Sequence, residues 1–447
     1  MSPIGKRRTL ELIPSARRLI PSMREVGYDF VHAVADIIDN SIEASASSVA
    51  VRMEFDGENS WVRISDNGTG MSAATITEAM RFGTQRDYEV EELGKFGLGL
   101  KTASISQCSR LTVASRTNRN ARRIEVRQWD LGHVKNTDRW EIIDIPPADR
   151  TETMIETLNK NVGTVVLWEQ LDRVLRYKIP WGDKARAGFF RLADELSDHL
   201  GMVFHRFLAG EAKSKKKLKI TINETPVEPW DPYARDEKAT MRLPALEIDV
   251  SGENGTGLVA YTPYILPPQE RFSSLRAFNR YAGPAKWNFQ QGFYVYRADR
   301  MIQSGGWCHM RISDEHTKLA RVALDFWPDL DSAFEVNFAK TRVVLPADLR
   351  ARLKSPVEDL AKRARKAYTP ATGRSVRAAG AEGAGMVSHQ LEEPSASYHT
   401  SQEPDPEARL ARALEQAAGK AGEVPALNKI KGVLRADNPD AAQEIGW

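Results

Sequence analysis

Apolar and polar positions along the first 170 residues follow two rhythms, which predicts a mixture of helices and strands. Residues 28–46 have the three-to-four-residue spacing of an amphipathic helix, whereas 48–55 and 60–66 have the alternation expected of a strand hairpin. This order is typical of a mixed α/β sandwich. The pattern also predicts short helices at 72–82 and 97–107, and strands at 110–116, 121–130 and 163–169.

The pattern changes near residue 210, where we place a domain boundary. A long helical pattern over 183–209 ends at Gly210, and the basic run KSKKKLK at 213–219 then opens a strand. A second α+β unit is predicted to continue to about residue 368. Its strands are predicted near 256–265, 292–298, 320–327 and 335–344, and a closing helix is predicted to begin after Pro346.

The C-terminal part of the chain has a different composition. Residues 369–406 contain few large apolar residues among many Ala, Gly, Ser, Glu and Pro, so this segment cannot offset its ordering entropy and is predicted to be a flexible, disordered linker. Residues 407–447 are predicted to form two short amphipathic helices that could dock on the body or on a partner protein. The apolar positions of these helices are Leu410, Leu414, Leu427, Ile430 and Leu434.

Composition and charge exclude several classes of protein. The 447 residues include 63 Lys and Arg against 60 Asp and Glu, a formal charge of +3, so any basic surface for nucleic acid must be local. Cys108 and Cys308 are too few for a disulfide framework or a cysteine-rich zinc module, which favours a reducing cytoplasm. The chain contains neither a secretory signal pattern nor an apolar run of about 18 residues, so we expect a cytoplasmic protein without a membrane span.

The helix predicted at 28–46 gathers polar side chains on one face. At about 100° per residue, its histidine, carboxylates and asparagine fall within about a third of the circle, opposite its valines and isoleucines. Three carboxylates beside an asparagine are unfavourable without a cation or donor, which indicates a Mg²⁺ or water-activating site; a solvated polar face is the alternative. The polar residues are His32, Asp36, Asp39, Asn40 and Glu43.

A first glycine-containing motif, ISDNGTGM at 64–71, follows directly after a predicted strand. Gly68 and Gly70 let the backbone turn sharply, so that the Asp66 carboxylate faces whatever lies against the glycines. Alone, this is a common turn between a strand and a helix.

A second motif, LGKFGLGLKTAS, places Gly94, Gly97 and Gly99 before a helix predicted to begin near Leu100. Successive glycines let backbone N–H groups converge, and a helix N-terminus adds a positive dipole end, so the element suits a polyphosphate. Its spacing matches neither the Rossmann motif nor the P-loop.

Together these motifs resemble the four boxes of the GHKL ATPases, the superfamily of the gyrase subunit, heat-shock chaperones, histidine kinases and MutL. The resemblance covers residues 28–170, including GTVVLW with Gly163 and Thr164, and implies a Bergerat-type α/β sandwich within an α+β chain. The segments DNSIEASASSVAV, RFGTQR and GKFGLGLKTAS look most like MORC (microrchidia) ATPases, with MutL second. GFYVYRADRMI at 292–302 and FEVNFAKTRVVLP at 334–346 resemble strands of the transducer domain found in gyrase, MutL and MORC.

The resemblance implies a role for each matching residue. Asn40 would hold a Mg²⁺ ion that bridges the phosphates, and Asp66 would accept a hydrogen bond from the adenine amino group. Thr164 would support Asp66 and its bridging water. Gly68, Gly70 and Met71 would complete the nucleotide contacts of the motif ISDNGTGM.

The resemblance also implies a lid at residues 83–101 that closes over the phosphates. Lys340 would reach from the transducer to the γ-phosphate, although a solvated lysine between two strands is an equal alternative. The residues in or beside the lid would be Gly94, Gly97, Gly99 and Lys101.

Asp36 departs from the family pattern, which has glutamate as the general base at this position. Aspartate is a competent base but is one methylene shorter, and a base must come within hydrogen-bond reach of its water. Either turnover is slow or the helix is shifted. The family commonly has aspartate where this chain has Glu43, which makes Glu43 the rival base.

The resemblance implies an ATP- and Mg²⁺-dependent clamp that dimerises on ATP binding and closes around DNA, as in MORC and MutL. Bacterial relatives of MORC add restriction or phage defence as an implied context. From the layout we expect neither a histidine kinase nor a gyrase-type topoisomerase, and the chaperone interpretation lacks an acidic linker and a long middle domain. Two alternatives stay open: a chaperone-like ATPase, and a nucleotide-sensing scaffold with little hydrolysis that signals through the C-terminal helices.

Overall fold

The computed structural model describes residues 12–25, 28–83, 99–118, 123–213, 217–253, 255–336, 343–368 and Lys431. All of them except Lys431 belong to one compact unit, Met1–Arg374. Within this unit the described strands form two sheets flanked by helices, which confirms the predicted α+β class.

The helices of the described part are numbered along the chain. They are α1 (Ala16–Arg24), α2 (Phe30–Glu43), α3 (Ala73–Ala79), α4 (Gly99–Ile105), α5 (Leu131–Thr137), α6 (Glu152–Ile155), α7 (Asp183–Val203), α8 (His205–Ala209), α9 (Leu275–Tyr281), α10 (Lys286–Gln290) and α11 (Ala347–Tyr368).

The strands are numbered in the same way. The first sheet contains β1 (Ser48–Glu54), β2 (Trp61–Asp66), β3 (Arg110–Arg116), β4 (Glu125–Asp130), β5 (Ile143–Asp144), β6 (Gly163–Glu169), β7 (Lys219–Ile222) and β8 (Thr225–Pro226). The second contains β9 (Met241–Arg242), β10 (Leu246–Gly252), β11 (Gly255–Ile265), β12 (Gly292–Arg297), β13 (Arg300–Ser304) and β14 (Ala320–Phe326).

The first sheet has the strand order β5-β4-β3-β6-β2-β1-β7-β8. The predicted hairpin of β1 and β2 is confirmed, since Val49 pairs with Asp66 and Glu54 with Trp61 in an antiparallel register. Along β2, Val62 and Ile64 enter the main core, where the apolar residues of α1, α2, α4 and α7 also pack. The helical layer therefore covers one face of the sheet, and alternation decides which strand residues meet it.

Helix α2 begins where Asp29 caps it, because the Asp29 side chain accepts a hydrogen bond from the His32 N–H. Its valines and isoleucines lie in the core, as the pattern predicts. The long helix predicted over 183–209 is instead two helices, α7 and α8, which meet at Phe204. Gly210 closes α8 at φ +78°, the left-handed conformation that glycine adopts readily.

The second sheet has the order β10-β11-β14-β12-β13, and β9 pairs with β11. Strands β11, β12 and β14 confirm the predictions near 256–265, 292–298 and 320–327, whereas β10 and β13 were not predicted. Helix α11 begins at Ala347, directly after Pro346 as predicted, and buries its leucines against this sheet. Of the strand predicted at 335–344, residues 337–342 lie outside the described residues, and the flanking described residues are not in a strand.

Several predictions fall outside the described residues. They concern residues 84–98 of the lid predicted at 83–101, the linker at 369–406 and, apart from Lys431, the helices at 407–447. The domain boundary near residue 210 stays a prediction. In the part of the chain that the structure describes, no helix has the length and apolarity needed to cross a membrane.

Candidate active site

Three neighbouring strands of the first sheet, β3, β6 and β2, place polar side chains in one row where the strands end. Ser115 of β3 pairs with Thr164 of β6, and Ser65 of β2 pairs with Val165, so Asp66 follows next to Thr164. Because side chains alternate along a strand, Asp66, Ser115 and Thr164 lie on the face that α2 covers. The register thus gathers residues that are far apart in the sequence.

The Asp66 carboxylate is the centre of this row. Its Oδ1 accepts hydrogen bonds from the N–H groups of Gly68 (2.9 Å) and Thr164 (3.2 Å), and its Oδ2 accepts one from the Ser41 hydroxyl (3.0 Å). Burial raises the pKa of Asp66, and these three hydrogen bonds oppose the rise. An ionised carboxylate has about four acceptor positions, so three donors leave room for one more.

The turn after Asp66 packs closely against its neighbours, and glycine is required at two places. Gly163 has φ +142°, and a Cβ there would lie 1.9 Å from the Asp66 carbonyl oxygen. Gly70 has φ +69°, and its Cβ would lie 2.3 Å from the Arg116 carbonyl oxygen. The Met71 N–H donates to the Ser115 hydroxyl at 2.7 Å, which ties the end of the turn to β3. The backbone therefore holds Asp66 in place.

Thr164 contacts Asp66 through its backbone, not through its side chain. The Thr164 hydroxyl lies 3.1 Å from the Ser115 hydroxyl, which donates to the Gly163 carbonyl at 2.9 Å. The predicted support of Asp66 by Thr164 is thus present as a backbone contact. Its role toward a nucleotide and a bridging water stays a prediction.

The polar face of α2 is largely buried. Asp36 is 3% exposed and Asp39 is 1% exposed, and both face the guanidinium of Arg300 on β13. Arg300 Nε donates to Asp39 Oδ1 at 2.9 Å, and its Nη2 lies 3.5 Å from Asp36 Oδ1. The Tyr28 hydroxyl donates to Asp36 Oδ2 at 2.6 Å. This part of the face is therefore not solvated, whereas Asn40 on the next turn is exposed.

Tyr28 stays protonated in this environment. Burial and the neighbouring Asp36 carboxylate both raise the pKa of the Tyr28 phenol. A protonated phenol can donate to Asp36, and it fixes the second carboxylate oxygen while Arg300 approaches the first.

The described part of helix α4 starts at Gly99, next to α2. Among the described atoms, only Asp36 Oδ2 lies within 4 Å of the position of a Cβ at Gly99, at 3.9 Å. Lys101 is buried on the same helix, and burial lowers its pKa to about 8 while Glu78 opposes the shift. Gly94, Gly97 and Lys340, which complete the predicted phosphate contacts, lie outside the described residues.

The described residues contain no group of three or more His, Cys, Asp or Glu side chains arranged to hold a metal ion. Mg²⁺ in nucleotide sites keeps several waters and binds phosphates plus one or two protein oxygens. The exposed carboxamide of Asn40 offers one such oxygen, so the residues fit a magnesium ion carried by a nucleotide.

A cavity of about 970 Å³ lies on the opposite face of the first sheet. It is lined by Arg52, Arg63 and Arg186 together with Glu54 and Glu156. Asp66, Ser115 and Thr164 do not line it, so the cavity is separate from the row.

Four residues of the site were not predicted: Tyr28, Ser41, Ser115 and Arg300. Tyr28 and Ser41 lie within or beside the helix pattern that contains Asp36, so the segment that carries them was visible in the sequence. Arg300 is 261 positions away from Asp39, and no local pattern links the two.

Comparison with known proteins identifies the same region. Residues 28–164 match the family of histidine kinase-, DNA gyrase B-, and HSP90-like ATPases. The DNA mismatch repair protein MutL of Fervidobacterium nodosum is 34% identical over 120 residues, which are 26% of this chain and 20% of that protein. MutL of Haemophilus influenzae is 29% identical over 138 residues, 30% of this chain and 19% of that protein. MutL of Actinobacillus succinogenes is 26% identical over 218 residues, 48% of this chain and 30% of that protein.

The chain thus spans between about a fifth and a third of the length of these relatives. They confirm the resemblance to MutL, and the closer resemblance to MORC stays a prediction. The matched residues include α2, the turn after Asp66 and Thr164. Residues 28–164 are therefore similar to the GHKL-type ATPase domain, and within that superfamily to the ATPase region of MutL.

Proposed function

We propose that this protein binds and hydrolyses ATP and uses the ATP-bound state to close a dimeric clamp on DNA. The observation that carries the proposal is the Asp66 carboxylate, held by the N–H groups of Gly68 and Thr164 and by the Ser41 hydroxyl with one acceptor position left. The relatives named DNA mismatch repair protein support DNA as the target.

In this proposal the adenine amino group donates to Asp66, and the phosphates extend toward the start of α4. Gly99 lies beside Asp36 there, and the buried ammonium of Lys101 would gain from a nearby anion because its pKa is lowered to about 8. Asn40 would hold Mg²⁺, which would supply positive charge to the phosphates when bound. Gly68, Gly70 and Met71 shape the turn that presents Asp66.

Asp36 is the proposed general base. It accepts a proton from a water molecule as the water oxygen bonds to the γ-phosphorus and the bond from that phosphorus to the β,γ-bridging oxygen breaks. ADP and inorganic phosphate are the products. Tyr28 and Arg300 fix the direction of the Asp36 carboxylate, and its Oδ2 lies close to Gly99 of α4. A carboxylate in this place could reach a water molecule beside the phosphates.

The remaining parts of the proposal follow the family resemblance. Residues 1–210 would be the ATP-binding domain and 211–368 a transducer-like domain, from which Lys340 reaches the γ-phosphate. The segment 83–101, with Gly94 and Gly97, would close over the phosphates and favour the dimer. The linker at 369–406 and the helices at 407–447 would serve a partner protein, and a restriction or phage-defence role is an extension of the same resemblance.

A nucleotide-sensing scaffold with little hydrolysis is the second candidate function. It is favoured by the engagement of both Asp36 oxygens, Oδ1 by Arg300 and Oδ2 by Tyr28, because a base that is already hydrogen-bonded has less capacity to accept a proton from water. The measurement of turnover below separates it from the ATPase.

The first test concerns binding. Asp66→Asn can place a donor opposite the adenine amino group, which should weaken ATP binding by about 2–3 kcal/mol, or roughly 30- to 150-fold in Kd. Isothermal titration calorimetry measures this loss. Asp149→Asn is the matched control, since Asp149 is an exposed aspartate between β5 and α6 and is not part of the row. Equal ATP affinity in the Asp66 variant and the unmodified protein would refute the assignment of the site.

The second test concerns turnover and the role of Asp36. Asp36→Asn should lower kcat by about 10²–10⁴-fold, the usual contribution of a positioned base, and should leave the Kd for ATP nearly unchanged. Phosphate release measures kcat. Full activity in Asp36→Asn with loss in Glu43→Gln would make Glu43 the base. ATP binding without turnover in the unmodified protein would support the scaffold instead.

A further inference from the structure

Arg300 belongs to the second sheet, but its side chain contacts helix α2 of the ATPase region. It is the first residue of β13, and its guanidinium is 2% exposed. The planar guanidinium meets two carboxylates of α2: Nε lies 2.9 and 2.8 Å from the Asp39 oxygens, and Nη2 lies 3.5 Å from Asp36 Oδ1. A fork of fixed shape can set the relative position of two carboxylates in a way that a flexible ammonium cannot.

The hairpin that presents Arg300 is itself anchored. Its turn residues Ala298 and Asp299 have φ of +46° and +68°, as expected for a tight two-residue turn. The Asp299 carboxylate accepts hydrogen bonds from Arg206 of α8 (3.0 Å) and from the Lys213 N–H (2.8 Å). Arg297 pairs with Asp331 at 2.6 and 2.8 Å. Contacts on both sides of the turn therefore hold the start of β13 against α8 and Asp331, and Arg300 connects it to α2.

Asp36 and Asp39 would be costly to bury without compensating charge. They are one helical turn apart on α2, both are almost fully buried, and like charges in such surroundings destabilise each other. Arg300 supplies a positive charge between them, and Tyr28 donates to the other Asp36 oxygen. The direction of the Asp36 carboxylate is thus set by one group from its own segment and one from the second sheet.

We propose that Arg300 is the positioning residue for Asp36, so that the hairpin of β12 and β13 determines whether the catalytic carboxylate is correctly placed. The inference rests on the proposed role of Asp36 as general base. It makes turnover, but not ATP binding, depend on a residue of the second sheet. A displacement of this hairpin would withdraw the guanidinium from α2 and misplace the base.

The test is a double-mutant cycle of four proteins: the unmodified chain, Asp36→Asn, Arg300→Gln and the combination. Arg300→Gln should lower kcat by about 10- to 100-fold, the cost of a misplacement of about 1 Å, and should change the Kd for ATP by less than about threefold. In the Asp36→Asn background it should cause no further fall in kcat, because the group that it positions is gone. Arg300→Lys keeps the positive charge but lacks the planar guanidinium, so its kcat should lie between those of the unmodified protein and Arg300→Gln.

Arg321→Gln is the matched control. Arg321 lies on β14 of the same sheet and is as deeply buried as Arg300, but its guanidinium donates to the carbonyl groups of Pro232 and Tyr281 and not to a residue of α2. It should lower the urea concentration at the midpoint of unfolding and keep kcat within about threefold of the unmodified protein. An equal fall in kcat in both arginine variants, a rise in kcat in Arg300→Gln, or an additive loss in the cycle would each overturn the inference.

Unfolding in urea supplies a readout that does not require hydrolysis. Arg300→Gln should lower the midpoint more when Asp36 is present than in the Asp36→Asn background, because it leaves a buried carboxylate without its cation. Equal shifts in the two backgrounds would overturn the inference whatever the turnover. Absence of turnover in the unmodified protein, with the unequal shifts observed, would overturn the proposed hydrolysis and keep Arg300 as the residue that holds Asp36.

Discussion

Lys101 gives a prediction whose size can be worked out from the structure. Its side chain is 2% exposed on α4, and burial lowers its pKa from 10.5 to about 8. The difference between these pKa values, 10.5 − 8, is about 2.5, and at about 1.4 kcal/mol for each pKa unit it corresponds to roughly 3.5 kcal/mol. This is the cost of keeping the buried ammonium charged, so Lys101→Met should raise the free energy of unfolding at pH 7 by up to about 3.5 kcal/mol.

The stability difference between Lys101→Met and the unmodified protein should also depend on pH, in a direction that the lowered pKa of Lys101 determines. Between about pH 8 and 10.5, Lys101 is protonated in the unfolded chain but has lost its proton in the folded one. Stability rises with pH wherever the unfolded state binds more protons. Over this pH range the free energy of unfolding of the unmodified protein should therefore rise relative to that of Lys101→Met. Below about pH 8 both states hold the proton and the full cost remains. The advantage of methionine should therefore be largest near neutral pH and should fade toward about pH 10.5.

Urea unfolding of the two proteins without nucleotide, from about pH 7 to about pH 10, measures the difference between their free energies of unfolding. Lys184→Met is the control, because Lys184 is exposed on α7 and its replacement should give a small difference that does not vary with pH. Alkaline effects on other groups are common to all three proteins and cancel. An advantage of Lys101→Met that is absent at pH 7, or is the same at every pH, would refute the reasoning.

Two further predictions concern a glycine and a pair of lysines. Gly163→Ala brings a Cβ to 1.9 Å from the Asp66 carbonyl oxygen and should destabilise the protein by about 1–3 kcal/mol more than Gly255→Ala, as measured by urea unfolding. Gly255 also has a positive φ, +126°, but apart from its chain neighbours no atom of the described residues lies within 4 Å of the added Cβ. Lys217→Glu with Lys219→Glu, two exposed residues at the start of β7, should weaken duplex DNA binding equally for unrelated sequences and lower the salt slope by about 2, by fluorescence anisotropy; sequence-selective loss would contradict this.

The first sheet could be predicted well because its strands show strong alternation. In β1, Val49, Val51 and Met53 are buried and the residues between them are exposed, which is the pattern that the sequence shows. β10 was missed because only Ile248 and Val250 are buried along its seven residues, too short an alternation to stand out. Pairing partners also contribute to stability, and these cannot be seen in one segment alone.

The two sides of the candidate site differed in how far they could be predicted. Asp66 and its glycines form one continuous motif, so the turn could be recognised locally. The contact of Thr164 with Asp66 uses a backbone N–H, which any residue except proline could supply, so the threonine itself carried no information about that bond. Its hydroxyl instead pairs with Ser115, a partner that depends on the register of β3 and β6.

The polar face of α2 shows what periodicity does not contain. The helical wheel separates polar from apolar positions, and Asp36 and Asp39 do lie together as it predicts. It cannot separate a polar residue in water from a polar residue buried against an opposite charge, because both have the same pattern. Exposures of 3% and 1% exclude a solvated face for these two carboxylates. A buried carboxylate needs a donor or a cation, so burial itself requires partners. The cation that both carboxylates share is Arg300, on a strand outside the matched ATPase region.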